Sequence, residues 1–110
     1  MEIKRGDLVL CAAPGHYGKP RPAVVVQSDL FNPTHPSITL CPVTSDLQPV
    51  TLFRMDVIPS SGNGLKKHSQ VMVDKMTSLP LKRIDKVIGR LSAEQIRDID
   101  TSLKLWLGLS

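Results

Sequence analysis

Arg21 and its neighbours form the segment of the sequence that best fits chemistry on a phosphate. Arg21 stands between Pro20 and Pro22. Because proline restricts its own backbone and that of the residue before it, the arginine is carried on a stiff stretch of chain. A guanidinium held in this way can offer a planar fork of donors to phosphate oxygens and stabilise charge that builds on them. The same arginine could instead serve only to blunt the edge of a sheet.

Thr44 and Ser45 place two hydroxyls side by side at the end of an apolar run, 37–44. Hydroxyls at a strand end can donate to phosphate oxygens, but they also commonly begin turns. Both interpretations of this pair stay open on the sequence.

Two further side chains could move protons or contact a base. His16 follows Gly15 in a polar loop and is the histidine best placed for proton transfer. Asp74 follows the apolar residues 71–73, where an acid either forms a turn or points into a cleft. The sequence has no Walker loop, paired CxxC, HExxH or GxSxG motif, so we expect an activity without cofactor or metal ion.

The charge of the chain is uneven. The formal net charge is +4 over 110 residues, and eight basic but only three acidic residues fall between positions 51 and 90. A basic surface of this kind favours an anionic partner.

The length and the 41% hydrophobic content predict one globular domain over 1–110. The charged N-terminus opens no long apolar stretch, so we expect neither a signal peptide nor a membrane span, and a cytoplasmic protein.

Short β-rich runs separated by Pro and Gly predict a small barrel or compact sheet in the first ninety residues. The predicted strands are 8–12, 23–26, 37–44, 52–58, 71–76 and 86–91. The continuous apolar run of the second strand indicates burial on both faces.

Cys11 and Cys41 lie in apolar runs and are predicted to be reduced core residues. The segment 60–64 is rich in Ser and Gly and is predicted to be the most flexible one.

A helix is predicted to begin at Ala93. Ser92 and Gln95 fit a capping box, and Gly108 supplies a stop. Apolar residues follow at helical spacing and should be buried against the sheet: Ile96, Ile99, Leu103 and Trp106.

The order of these motifs resembles the MazF/PemK/Kid family of toxins over nearly the whole chain. The resemblance is carried by Arg5-Gly6-Asp7, a glycine-rich loop, Arg21-Pro22-Ala23-Val24-Val25, Pro42-Val43-Thr44-Ser45 and a helix after Gly89-Arg90-Leu91-Ser92. It implies a mainly β, α+β fold, an SH3-like small β-barrel of the CcdB/MazF type with a C-terminal α-helix. It also implies the toxin of a type II toxin-antitoxin system, a cytoplasmic, metal-independent endoribonuclease that cleaves single-stranded mRNA at short sequences.

The resemblance further implies partners and site residues. The partners are a second copy in a homodimer, RNA bound across the subunit interface, and a cognate antitoxin whose acidic, disordered tail occupies the RNA groove. The expected catalytic residues are Arg21, Thr44, His16 and Asp74. The expected RNA contacts are Ser45, Tyr17, Lys19, Gln27, Lys66, Lys67 and Lys75. Where some members have an arginine two residues before the aspartate, this chain has Met72.

Two other functions stay open. A CcdB-like gyrase poison would share the architecture and act through C-terminal residues such as 106–110. A noncatalytic SH3-like RNA-binding module would bind RNA without cleaving it. The predicted burial of Trp106 on the helix stripe argues against the first, and multiple-turnover cleavage would separate the second from the enzyme.

Overall fold

The computed structural model describes residues 1–12, 19–49 and 52–110. Within these ranges the regular elements are β1 (Asp7–Cys11), β2 (Arg21–Val25), β3 (Ser37–Thr44), β4 (Arg54–Val57), β5 (Ser69–Met72), β6 (Thr77–Pro80), β7 (Ile84–Arg90) and α1 (Ala93–Leu107). Two short 3-10 helices, Val73–Lys75 and Leu81–Arg83, flank β6. No helix in the described part of the chain is long and apolar enough to cross a membrane.

The strands form one antiparallel sheet around β3. The order is β4-β5-β3-β2-β1-β7, and β6 pairs with the first half of β3. Leu40 pairs with Val25 of β2 and with Thr77 of β6, so β2 and β6 occupy opposite edges of β3. The predicted mainly β fold with a C-terminal helix is confirmed. In the described residues β4 and β7 end the strand order, so the sheet is barrel-like but open.

The sheet is buried on both faces. Consecutive side chains of a strand point to opposite faces. Val24 of β2 lies in the core beneath α1, whereas Ala23 and Val25 lie in a second core on the other face. The predicted burial of this strand on both faces is therefore confirmed, and it places Arg21, at the start of β2, on a rigid support.

Two cysteines sit in these cores. Cys11 and Cys41 are free and buried, which confirms the prediction of reduced core residues. Burial raises the pKa of both thiols, and it raises the pKa of Cys41 to about 12. Both thiols are therefore neutral in the folded protein near neutral pH.

The buried thiol of Cys41 predicts that the free energy of unfolding falls as the pH rises above its ordinary pKa of 9.0. Between that value and about 12, the unfolded chain loses a proton that the folded chain keeps, so alkaline pH favours unfolding. Urea unfolding compared at about pH 8 and about pH 10 should show a larger loss for the wild type than for Cys41→Ala. Equal losses in the two proteins would contradict this prediction.

The helix begins as predicted. The Ser92 side chain accepts the backbone N–H of Gln95 at 3.1 Å, and the Gln95 side chain accepts the backbone N–H of Ser92 at 2.9 Å. Gly108 ends the helix in a left-handed conformation with φ of 71°. Ile99 and Leu103 are buried against the sheet.

Trp106 does not follow the predicted burial. Its side chain is 48% exposed and packs edge-to-face on Phe53, with ring centroids 5.0 Å apart. Leu103, one turn earlier, is the last buried residue of α1, so the final turn of the helix extends past the core. The indole therefore covers Phe53, just before β4, rather than filling the interior.

Two predicted strands are shorter in the structure, and one strand was not predicted. The strand predicted at 71–76 ends at Met72, because the chain turns into a 3-10 helix that buries Val73. The strand predicted at 52–58 is shortened to β4. β6 was not predicted, since Leu79 is its single buried residue and gives no alternating pattern.

Candidate active site

A pocket of about 700 Å³ opens where β2, β3, β5 and β7 approach one another. Its lining includes five of the residues proposed from the sequence: Arg21, Thr44, Ser45, Lys66 and Lys67. Lys86 of β7 also lines it, so four cationic side chains face one acidic residue, Asp46. The pocket therefore suits an anionic ligand.

Arg21 enters the pocket from the start of β2. It is exposed and pairs with Cys11 of β1, whose thiol donates to the Arg21 carbonyl at 3.5 Å. No described residue accepts a hydrogen bond from its guanidinium or forms an ion pair with it, so none of those residues competes with a ligand for its donors. The sheet thus fixes the backbone of Arg21 while its charge stays in the pocket.

Thr44 enters the pocket from the end of β3. Its Oγ1 accepts the backbone N–H of Asp46 at 3.0 Å, which is the turn interaction expected of a hydroxyl at this position. An accepted bond leaves the hydroxyl hydrogen available for donation. The two interpretations of Thr44 are compatible, because the turn orients the hydroxyl that lines the pocket.

Lys66 and Lys67 follow a turn that is tightly held. Asn63 is 3% exposed, and its side-chain amide accepts the backbone N–H groups of Ser60 and Leu65. Gly64 has a φ of +71°, and a Cβ there would lie 2.2 Å from the carbonyl oxygen of Ile88. The predicted flexible segment 60–64 is thus a hydrogen-bonded turn packed on β7, and it holds the two lysines at the pocket wall.

Several predicted site residues are not among the described residues that line the pocket. His16 and Tyr17 fall outside the described residues. Lys19 is exposed just before β2 but does not line the pocket. Gln27 is also outside it, because its side chain binds the backbone of β3, donating to the Ser37 carbonyl and accepting from the Thr39 N–H.

The structure does not bring Asp74 or Lys75 to the pocket either. β5 ends at Met72, and the following 3-10 helix leaves both charged side chains exposed. Of the two possibilities for Asp74, the structure therefore supports the turn. Met72 lines the pocket in its place.

Sequence reasoning missed a polar group beside the pocket. Gln70 of β5 is buried and pairs in register with Thr44 of β3 and with Asp56 of β4. Its amide oxygen accepts from Arg54 at 3.0 Å. No local signal marks these residues, since they meet only through the pairing of three strands.

A comparison with known protein families decides the relationship. The model described as "PemK-like, MazF-like toxin of type II toxin-antitoxin system" matches residues 4–107. The chain belongs to this family. The resemblance inferred from its motifs is therefore confirmed.

Curated relatives agree with the MazF-like assignment. The chain is 35% identical to a probable endoribonuclease MazF of Mycolicibacterium smegmatis over 109 residues, which cover 98% of this chain and 99% of the relative. It is 34% identical to endoribonuclease MazF9 of Mycobacterium tuberculosis over 94 residues, which cover 81% and 79% of the two chains.

Solved structures agree on the MazF-like fold. A mycobacterial endoribonuclease in complex with its cognate antitoxin superposes with a TM-score of 0.83 at 19% identity, covering 99% of this chain and 98% of that one. MazF of Deinococcus radiodurans gives a TM-score of 0.80 at 23% identity and covers 99% of both chains.

Proposed function

We propose that this MazF-like protein is a sequence-specific, metal-independent endoribonuclease that cleaves single-stranded mRNA as the toxin of a type II toxin-antitoxin system. The observation that carries the proposal is the meeting of Arg21 and Thr44 in one cationic pocket. Family membership and the endoribonuclease names of relatives at 34% and 35% identity support it.

The proposed chemistry is transesterification within RNA. The 2'-hydroxyl loses its proton and its oxygen attacks the adjacent phosphorus, while the 5'-oxygen leaves and gains a proton. The products are a 2',3'-cyclic phosphate and a 5'-hydroxyl. Arg21 would stabilise the charge that builds on the phosphoryl oxygens, and Thr44 would donate its hydroxyl hydrogen to one of them.

Proton transfer in this proposal is given to His16, on the chemistry of its imidazole and on the family resemblance. Asp74 has no role in it, because this acid is exposed and does not line the pocket. Lys66, Lys67 and Lys86 would neutralise the RNA backbone.

The proposed partners follow from the same charges. An antitoxin with an acidic, disordered tail would be attracted to the four cationic side chains of the pocket. One structure with this fold is a complex of an endoribonuclease with its cognate antitoxin, which supports the proposal. We further propose a homodimer acting in the cytoplasm.

Mapping the ends of a cleaved long RNA tests the proposed function. We expect cuts at a short recurring sequence, with 5' ends that a kinase labels without prior phosphatase treatment, and the same cuts in the presence of EDTA. Ends that need phosphatase before labelling would contradict the proposed chemistry. Loss of cleavage in EDTA, restored by a divalent metal, would contradict the metal-independent mechanism.

Lys67→Ala is expected to weaken RNA binding and reduce its salt dependence. A lysine that neutralises one phosphate of a single strand contributes about 0.7 to the slope of log K against log salt concentration. Binding measured by fluorescence anisotropy at several salt concentrations would give this slope. Lys104→Ala, which removes an exposed lysine from α1, should leave the slope unchanged. Equal effects of the two variants would contradict a specific role for Lys67.

A further inference from the structure

Gln70 is an unusual residue to find in the interior of this sheet. It is 2% exposed, and all of its hydrogen-bonding capacity is used. The amide nitrogen donates to the Gln48 carbonyl at 2.9 Å and to Asp56 at 3.2 Å. The amide oxygen accepts from the Gln48 backbone N–H at 3.1 Å and from Arg54 at 3.0 Å.

Two of these four contacts are with the segment 45–48, which we name the β3 exit loop. Gln70 binds both backbone groups of Gln48, as a neighbouring strand would. Arg54, oriented by Gln70, donates to the Asp46 carbonyl at 3.1 Å. The loop is therefore held at Asp46 by a side chain of β4 and at Gln48 by a side chain of β5.

The β3 exit loop forms one wall of the pocket. Ser45 and Asp46 line it, and Thr44 directly precedes the loop. The Asp46 N–H that holds the Thr44 hydroxyl belongs to the same loop. A shift of this loop would thus move both the hydroxyl proposed to contact phosphate and the polar groups beside it.

The loop itself lacks the packing that would fix its position. Ser45, Asp46 and Gln48 are exposed. The buried side-chain amide of Gln70, with all of its hydrogen bonds formed, restrains this loop more than hydrogen bonds to water would. Each of its bonds holds the loop backbone in one position.

We propose that Gln70 is a positioning residue that sets the base preference of cleavage by fixing the β3 exit loop. The inference rests on the proposed ribonuclease function. Gln70 touches no substrate in this proposal, and it acts through Ser45 and Asp46. Those residues present one hydroxyl and one carboxylate, which can respectively donate to and accept from base edges.

Two variants separate the contacts of Gln70. Gln70→Met keeps the length of the side chain but removes all four hydrogen bonds. Gln70→Glu keeps an acceptor for the Gln48 N–H and for Arg54, but it removes the donors to the Gln48 carbonyl and Asp56. Gln95→Met is the matched control, because it removes a glutamine that caps α1 outside the pocket.

The readout is the ratio of cleavage rates at the most preferred and the next preferred sites of one long RNA. We expect Gln70→Met to lower this ratio about tenfold and Gln70→Glu to lower it less, because a displaced loop discriminates less between bases. Gln95→Met should leave the ratio unchanged. An unchanged ratio in Gln70→Met, with all sites slowed equally, would overturn the inference.

Hydrogen exchange of the Gln48 backbone N–H, measured by NMR, tests without RNA whether Gln70 fixes the β3 exit loop. Exchange should be faster in Gln70→Met than in the wild type and in Gln95→Met. An exchange rate in Gln70→Met equal to that of the wild type would overturn the proposal that Gln70 fixes the loop. A wild-type protein that cleaves no RNA would instead overturn the proposed function, and with it the role of Gln70 in base preference. The exchange result would still decide whether Gln70 fixes the loop.

Discussion

Arg21→Ala is expected to lower the rate of RNA cleavage by about 10²–10³-fold. Arg21 brings a guanidinium into the pocket that Thr44 also lines. Loss of one preorganised donor to a developing oxyanion has an effect of this size in other enzymes. The assay is single-turnover cleavage of an RNA that contains the mapped site.

Two further arginine variants sharpen this test. Arg21→Lys keeps the charge but loses the planar fork, so it should fall between wild type and Arg21→Ala. Arg97→Ala removes an exposed arginine of α1 and should leave the rate unchanged. If Arg21→Ala still arrests growth while deletion of residues 106–110 abolishes arrest, the CcdB-like mode would replace the nuclease.

Ile99→Ala is expected to lower the free energy of unfolding by about 3 kcal/mol, within the 2–5 kcal/mol typical of a large aliphatic side chain removed from a core. Ile99 is 2% exposed and packs in the core between α1 and the sheet. Urea unfolding followed by circular dichroism gives the value.

Leu105→Ala is the matched control for this variant. Leu105 lies on the same helix but is 56% exposed, so the loss should stay within about 0.5 kcal/mol. Similar losses in the two variants would contradict the assignment of the effect to packing of α1 on the sheet.

Local patterns predicted the elements whose signals lie within a few residues. β3 was predicted with its observed bounds, because turn-forming residues flank its apolar run. The capping box of α1 needs only Ser92 and Gln95, three positions apart. β6 has neither signal, since it forms by pairing with β3, and nothing in its own four residues specifies that pairing.

The candidate site divides in the same way. Pro20 and Pro22 mark Arg21, and the end of an apolar run marks Thr44, so the sequence alone indicated both. Gln27 was predicted to contact RNA, but a polar residue after a buried strand can bind either ligand or backbone, and in this structure its side chain binds the backbone of β3. Only the three-dimensional structure shows which of the two Gln27 binds.

The pairing of β1 with β7 has a consequence for synthesis of the chain. Asp7 lies opposite Arg90, and Lys86 and Ile88 of β7 form part of the pocket wall. A nascent chain on the ribosome therefore cannot complete the pocket until β7 has left the exit tunnel. We expect the growing polypeptide to leave messenger RNA intact, including the one being translated, until β7 has emerged and paired with β1.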